Sequence, residues 1–295
     1  MRSGLMALNP KAAESTSFKN FCTQINTLQK KGLLSKVNIV SLIHPNFFAM
    51  PSDIYFSQKE TLMNEVEKSL ATGLGQQIAY SDLTVLESPY SSYDEMVGFL
   101  SQLAYRQRDS VIIVGIDPQQ KVYKWLAGGL PETAALSAQI PILLVKVDQT
   151  CLIDKEEPRV VLAVDTEAPP TKKALRRFAR LVRPLGTPVD ILHVQRKANF
   201  VASLIGASTG PKESEAILAS TLEDLRSLNL DGKIHTIEEE DSVAATIAKF
   251  ANNQGAWITA TSSPTRDIRH RLVWGSTTQN LLEELSCPLL VLRSS

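Results

Sequence analysis

The amino-acid sequence repeats itself, and this repeat limits the folds that the chain can adopt. The apolar run Val111–Gly115 is followed by Gly128 and then by the run Pro141–Val145. The glycine and the proline follow the first run at intervals of 13 residues. A second apolar run, Trp257–Ser262, is followed at the same two intervals by a glycine and by another apolar run that starts with proline. Each position of this second pattern lies 147 residues after its counterpart in the first. Chance similarity between apolar strands is the alternative, and the matched intervals disfavour it. The spacing predicts two copies of one fold, in residues 1–148 and 157–295, joined by the polar stretch 147–158.

Composition narrows the class of protein. The chain has 295 residues, 43% of them hydrophobic, with 31 basic and 31 acidic side chains and therefore zero net charge. This length fits two domains of ~150 residues, and the zero charge disfavours a nucleic-acid binder. No uncharged apolar run approaches the ~18 residues of a membrane span. The apolar stretch within residues 1–10 is too short to be the core of a signal peptide. The three cysteines fit no zinc spacing and no disulfide framework. We expect a cytoplasmic protein with no membrane contact.

Short apolar runs alternate with longer helical patterns in both copies. The runs are rich in leucine and β-branched residues without alternation, which is typical of parallel strands buried on both faces. Five strands joined by four helices predict an α/β fold, with one doubly wound parallel five-stranded sheet in each copy. The predicted strands of the first copy lie near 4–8, 37–43, 82–86, 111–115 and 142–146, and those of the second copy at 160–164, 189–194, 233–237, 256–261 and 289–292.

Three features of the second copy meet where such a sheet binds ligands, at the carboxyl ends of strands where the winding reverses. Asp165 follows the first strand, and Ser262 ends the fourth. The segment Gly275-Ser276-Thr277-Thr278 opens the last helix, where backbone N–H groups and the helix dipole favour an anion.

On these residues the sequence resembles the universal stress proteins in their tandem form, and the resemblance covers both copies nearly end to end. It implies a Rossmann-like fold of the adenine-nucleotide alpha-hydrolase type. Members that bind ATP carry an aspartate after the first strand, a valine at the end of the second, and a Gly-x2-Gly-x9-Gly-Ser/Thr loop before the last helix. Asp165, Val194 and Gly275-Ser276 match that pattern, and Thr278 lies where the family often has a further hydroxyl.

Both copies depart from the family pattern. In the second copy Ser262 and Thr265 replace the first two loop glycines, which permit close backbone approach to phosphates. The first copy departs further, and we expect it to have lost a standard nucleotide site. It keeps Gly115, but it has Asn9 for the aspartate, Leu42 for the valine, Pro118 for the second glycine, and Gly128-Gly129 followed by Pro131 at the last helix.

Each candidate residue also has an ordinary structural interpretation. Asp165 can be a turn residue before two prolines, and Gly275 to Thr278 can be a helix N-cap. The basic loop residues Arg266, Arg269, His270 and Arg271 can bind phosphate from their side chains or be solvated and ion-paired. The histidines have no ligand spacing, which disfavours a metal site, and no catalytic constellation is recognisable.

The resemblance implies a regulatory binding module of the stress response, not an enzyme, that binds ATP with Mg²⁺ or another adenine nucleotide in its second domain. A scaffold that binds no nucleotide and acts through protein partners is the main alternative, and a weak ATP hydrolase is a lesser one. Family precedent further implies that the last strands of the two domains pack together as a pseudo-dimer within the chain, with a homodimer as a larger assembly. The apolar segment 199–207 fits either a helix that covers the sheet or a groove for an apolar ligand.

Overall fold

A computed structural model describes most of the chain, and all structural statements below concern the residues that it describes. These are residues 2–8, 16–43, 52–74, 78–87, 93–116, 138, 140–146, 159–195, 211–263 and 276–293. The chain divides into two compact units, Met1–Thr150 and Cys151–Ser295. The proposed linker 147–158 and the apolar segment 199–207 lie outside the described residues.

The first unit is a parallel sheet with its strands in the order β3-β2-β1-β4-β5. Along the chain the elements are β1 (Ser3–Leu8), α1 (Thr16–Lys30), β2 (Lys36–Ile43), α2 (Ser52–Leu74), β3 (Asp82–Glu87), α3 (Tyr93–Arg106), β4 (Val111–Ile116) and β5 (Ile142–Lys146).

The second unit repeats this topology, with the order β8-β7-β6-β9-β10 and parallel pairing throughout. Its elements are β6 (Arg159–Ala163), α4 (Lys172–Val182), β7 (Val189–Gln195), α5 (Pro211–Ser227), β8 (Gly232–Glu238), α6 (Val243–Gln254), β9 (Ala256–Ser263), α7 (Ser276–Glu284) and β10 (Leu289–Arg293). A 3₁₀ turn, Arg183–Leu185, extends α4. The predicted fold class of two tandem doubly wound sheets is confirmed.

Burial follows the position of each strand in its sheet. Every residue of β1, β4, β5 and β10 is buried, as expected for parallel strands with apolar runs. The strands at the far edges, β3 and β8, are instead largely exposed or half-buried, with one buried residue each. The unbroken apolar runs therefore mark strands that are buried throughout, whereas β3 and β8 carry polar residues that meet solvent.

Local side-chain chemistry sets several helix boundaries in the second unit. The N–H of Ala174 donates to Thr171 Oγ1 at 3.3 Å, and the N–H of Ala245 donates to Ser242 Oγ at 3.0 Å, so both helices begin at a side-chain N-cap. Helix α6 ends at Gly255, whose φ of 62° lies in the left-handed region that glycine adopts without strain. Within the described ranges, no helix is both long and apolar enough to span a bilayer.

Candidate functional site

The candidate site lies where the winding of the second sheet reverses. From β6 the chain proceeds outward through β7 and β8, and it returns on the other side of β6 through β9 and β10. Strands β6 and β9 are direct neighbours, with Ala163 paired to Thr261 at their carboxyl ends. In doubly wound folds the connections that leave two such strands lead to opposite faces of the sheet, and ligands bind in the crevice between them.

Asp165 forms a tight turn directly after β6. Its carboxylate Oδ1 accepts the N–H of Glu167 at 3.0 Å, and its carbonyl oxygen accepts the N–H of Ala168 at 3.2 Å. Its side chain is exposed, and the other carboxylate oxygen, Oδ2, makes no hydrogen bond to the described part of the chain. The turn interpretation is therefore correct for one carboxylate oxygen, while the second remains open to a ligand that donates a hydrogen bond.

Neighbouring elements hold this turn in place from two sides. The ring nitrogen Nδ1 of His193 lies 3.1 Å from the carbonyl oxygen of Val164, the residue before Asp165. On the other side, the hydroxyl of the buried Thr166 lies 3.2 Å from that of Ser214 on α5. Sequence analysis missed the positioning roles of His193 and Thr166. Their signal is weak, since it consists of one polar residue in an apolar strand and one hydroxyl beside an aspartate.

Ser262 contacts the loop that the aspartate turn begins. Its hydroxyl donates to the carbonyl oxygen of Ala168 at 3.4 Å, which joins the end of β9 to the loop that follows β6. The side chain is half-buried. Val194, near the carboxyl end of β7, is 8% exposed and offers an apolar contact on the opposite side of β6.

The remaining predicted site residues belong to the connection between β9 and α7. Helix α7 begins at Ser276, so Ser276, Thr277 and Thr278 form its first turn, as the sequence predicted. Its first backbone N–H groups have no partner within the helix, which is the general property of helix N-termini. Thr265, Gly275 and the basic residues Arg266, Arg269, His270 and Arg271 lie outside the described residues.

In the first unit, two of the corresponding residues can be placed. Leu42 in β2 and Gly115 in β4 are both buried within their strands. Asn9, Pro118, Gly128, Gly129 and Pro131 lie outside the described residues. The expected loss of the site in the first unit stays a prediction.

Two buried carboxylates lie near the amino ends of strands, away from the candidate site. In β7, Asp190 accepts from His235 Nε2 at 2.9 Å and lies 3.6 Å from Arg159 Nη1. In the first unit, Asp109 accepts from Asn38 Nδ2 at 3.0 Å. Burial raises the pKa of the Asp109 carboxyl, and hydrogen bonds from Ser3 and Asn38 oppose that rise. We assign both carboxylates a structural role, because each has its partners within its own unit.

The described residues hold no group of three or more His, Cys, Asp or Glu side chains that could bind a metal ion. His193 and His235, the two histidines in the described ranges, each contact a single protein acceptor.

The two sheets and their order of strands define a doubly wound α/β protein, in which the switch point is the edge where ligands usually bind. Residues 158–293 match the model of the universal stress protein family. The second half of the chain therefore matches the universal stress protein family, and the first half has the same topology.

Solved structures extend the likeness in fold to the whole chain. A universal stress protein from Archaeoglobus fulgidus DSM 4304 is similar over 99% of this chain and 96% of its own, with 15% identity and a TM-score of 0.64. A functionally unknown protein from Pseudomonas aeruginosa PAO1 is similar over 100% and 93%, with 14% identity and a TM-score of 0.52. A universal stress protein from Archaeoglobus fulgidus in complex with dAMP matches 46% of this chain and 97% of its own, with 20% identity and a TM-score of 0.36. No curated protein sequence matches the chain.

Proposed function

We propose that this chain is a regulatory module of the stress response that binds an adenine nucleotide, such as ATP with Mg²⁺, in its second unit. The observation that carries the proposal is the arrangement of Asp165 and Ser262 at the switch point between β6 and β9. The start of α7 follows at the same edge of the sheet, because this helix leaves the carboxyl end of β9. The family membership of residues 158–293 supports the same choice of site.

The charges at this edge orient the nucleotide. A carboxylate only accepts hydrogen bonds and repels phosphate, so Asp165 would face the adenine amino group or a ribose hydroxyl. Val194 would contact the base through its apolar side chain. The phosphates would then lie at the first turn of α7, where Gly275, Ser276, Thr277 and Thr278 can supply backbone N–H groups and hydroxyls. Ser262 and Thr265 would line the path between the two ends.

Magnesium would be bound through the phosphates of the nucleotide, in keeping with the preference of Mg²⁺ for phosphate oxygens and water. When bound, it would neutralise part of the phosphate charge. We assign no catalytic residue to this edge, and the function proposed is binding, not hydrolysis.

A scaffold that acts through protein partners without a nucleotide is the second candidate, and Ser262 favours it. The resemblance places a glycine at this position, whereas the serine has a Cβ and a half-buried hydroxyl that is already bonded to Ala168. The Cβ and the hydroxyl oxygen of this serine occupy space that a nucleotide would approach.

Titration calorimetry of the whole protein with Mg-ATP tests the proposal. We expect saturable heat in the wild type, and at most a small residual signal in a Ser276→Ala/Thr278→Ala variant. Asp165→Asn keeps the size of the side chain but adds a hydrogen-bond donor. We expect this substitution to weaken the binding of ATP more than the binding of inorganic triphosphate.

A matched control removes the same two hydroxyl types elsewhere in the second unit. Ser220 and Thr236 are both exposed and lie on α5 and β8, so Ser220→Ala/Thr236→Ala should bind Mg-ATP like the wild type. Absence of heat in the wild type, together with acid extracts that contain no nucleotide, would reject the proposal and leave the scaffold candidate. Equal binding by both double variants would move the site away from α7.

A further inference from the structure

Helix α4 and the residue that follows it carry an unusual concentration of positive charge. Six of twelve consecutive residues are basic and none is acidic, although the whole chain is neutral. We call these six side chains the basic face of α4: Lys172, Lys173, Arg176, Arg177, Arg180 and Arg183.

The helical period separates these charges completely from the apolar residues. The other six residues of the segment are all buried, namely Ala174, Leu175, Phe178, Ala179, Leu181 and Val182. Successive residues are ~100° apart around a helix, so the cations share one side over a length of about 16 Å. Five of the six cations are exposed, and Arg177 is half-buried. The helix thus anchors its apolar side in its own unit and presents only charge outward.

The basic face is poorly neutralised by the part of the chain that the structure describes. Lys172 Nζ lies 3.4 Å from Asp224 Oδ1 of the neighbouring helix α5. For Lys173, Arg176, Arg180 and Arg183, no carboxylate among the described residues lies within ion-pair distance. Burial lowers the pKa of the Arg177 guanidinium, and the positive charge of Arg180 lowers it further.

This arrangement costs helix stability. Like charges three or four positions apart repel each other along the exposed side, and Lys172 and Lys173 oppose the helix dipole in the first turn. Burial of the apolar side offsets that cost. An anionic partner would relieve the repulsion, because it would place negative charge beside the exposed guanidinium groups.

The surroundings of the face favour a narrow partner. Helix α5 packs beside α4 and carries the exposed carboxylates Glu213, Glu215 and Glu223 in addition to Asp224. A flat anionic bilayer or a nucleic-acid duplex is wider than one helix and would meet these carboxylates as well as the cations. A lipid-inserting helix also needs an apolar side free for the membrane, and here that side is buried.

We propose that the basic face of α4 docks an acidic segment of a partner protein, with carboxylates paired to Arg176, Arg180 and Arg183. Arginine presents a planar fork that binds a carboxylate in a bidentate way, and these arginines are spaced at about one helical turn. The face lies outside the residues assigned to nucleotide binding, so the two proposals can fail independently.

Fluorescence anisotropy with a labelled glutamate-rich peptide of about twelve residues, long enough to span the face, tests this docking. We expect saturable binding that weakens as salt is added, because exposed charges are screened. In the full-length variant Arg176→Gln/Arg180→Gln we expect affinity to fall by about tenfold. Arg176→Lys/Arg180→Lys keeps the charge but loses the planar fork of arginine. Its affinity for the peptide should lie between those of the wild type and the glutamine variant.

The control variant Lys212→Gln/Lys233→Gln removes two exposed positive charges from the same unit, on α5 and β8, neither of which belongs to the basic face of α4. It should bind the peptide like the wild type, and circular dichroism should show that all variants are folded. Equal weakening by both glutamine variants would overturn the proposal, since binding would then follow net charge alone. It would also be overturned if single-stranded DNA or anionic vesicles bound this face more tightly than the peptide. Self-association that disappears in Arg176→Gln/Arg180→Gln would overturn it too, because a second copy would then cover the face.

Discussion

The hydroxyl of Ser262 donates to the carbonyl oxygen of Ala168 and so connects the end of β9 to the loop that follows β6. Ala168 ends the turn that Asp165 begins, since its N–H donates to the carbonyl oxygen of Asp165. Ser262 therefore holds the loop that follows β6 against the end of β9. This contact links the stability of the second unit to the shape of its crevice.

Substitution of Ser262 separates these two effects. In Ser262→Gly we expect stability to fall by about 1 kcal/mol, from the lost hydrogen bond and the flexibility of glycine. We expect Mg-ATP binding to tighten severalfold, because the Cβ no longer blocks close backbone approach. Ser262→Ala keeps the Cβ and should not tighten binding. Calorimetry that shows weaker binding in both variants would instead identify the hydroxyl as a ligand.

Substitution of two glycines by alanine should change the stability of the protein in opposite directions. A Cβ at Gly232 would lie 2.3 Å from the carbonyl oxygen of Val189, the residue paired with it in β7, so Gly232→Ala should destabilise the protein by about 2 kcal/mol. A Cβ at Gly98 in α3 would meet no atom within 4 Å, so Gly98→Ala should stabilise by about 0.5–1 kcal/mol. Chemical denaturation measures both. Equal changes in the two variants would show that close contact does not decide the outcome.

Asp190 should contribute far more to stability than an exposed carboxylate does. Asp190→Ala would leave His235 and Arg159 without their shared acceptor, and we expect a loss of about 2–3 kcal/mol in urea denaturation. Lys172→Ala breaks the solvent-exposed pair with Asp224 and should change stability by at most about 0.5 kcal/mol. A small effect at Asp190 would mean that water replaces the carboxylate without cost.

The buried carboxyl of Asp109 should make stability depend on pH. Because burial raises its pKa in the folded state, this group stabilises the fold below the ordinary carboxyl pKa of about 3.9. That contribution is lost as the pH rises through the folded-state pKa. The neutral variant Asp109→Asn lacks this titration, so its stability relative to wild type should increase from acid to neutral pH. Denaturation at several pH values measures the difference, and a constant difference would contradict the assignment.

The thiol of Cys22 should be inert in the folded protein. Cys22 is fully buried in α1, and burial raises the pKa of its thiol to about 12. The reactive thiolate is therefore scarce at about pH 8, and an alkylating reagent in solution cannot reach the buried sulfur. We expect iodoacetamide to modify Cys22 only after unfolding, as located by mass spectrometry. Modification of the folded protein at the unfolded rate would show that α1 opens readily.

The fold was predictable because the signals for it are local. The runs 111–115 and 142–146 were predicted as strands and are β4 and β5, with ends that differ by at most one residue. A short apolar run that is bounded by polar residues and occurs again in the repeat indicates a buried strand. How the last strands of the two units are arranged remains a prediction.

The candidate site was predictable only in outline. Asp165 follows β6 and Ser262 lies near the end of β9, and the carboxyl ends of parallel strands share one edge, so the placement of both residues at this edge followed from topology. Contacts such as His193 with Val164 depend on the register between strands and on side-chain direction, which no local pattern encodes. The basic face of α4 has a clear signal in the spacing of its cations, but only burial of the opposite side shows that the cations lie on the outer side of the helix.

The sequence by itself determined the repeat, the order of the elements and the strand ends at which a ligand would bind, because hydrophobic periodicity and chain order are local properties. Only the tertiary structure decided which polar groups are already paired. Ser262 with Ala168, and Asp190 with His235, are separated by 94 and 45 positions along the chain. Such partners meet through packing of the whole sheet, so their free energy depends on distances that a linear sequence does not contain.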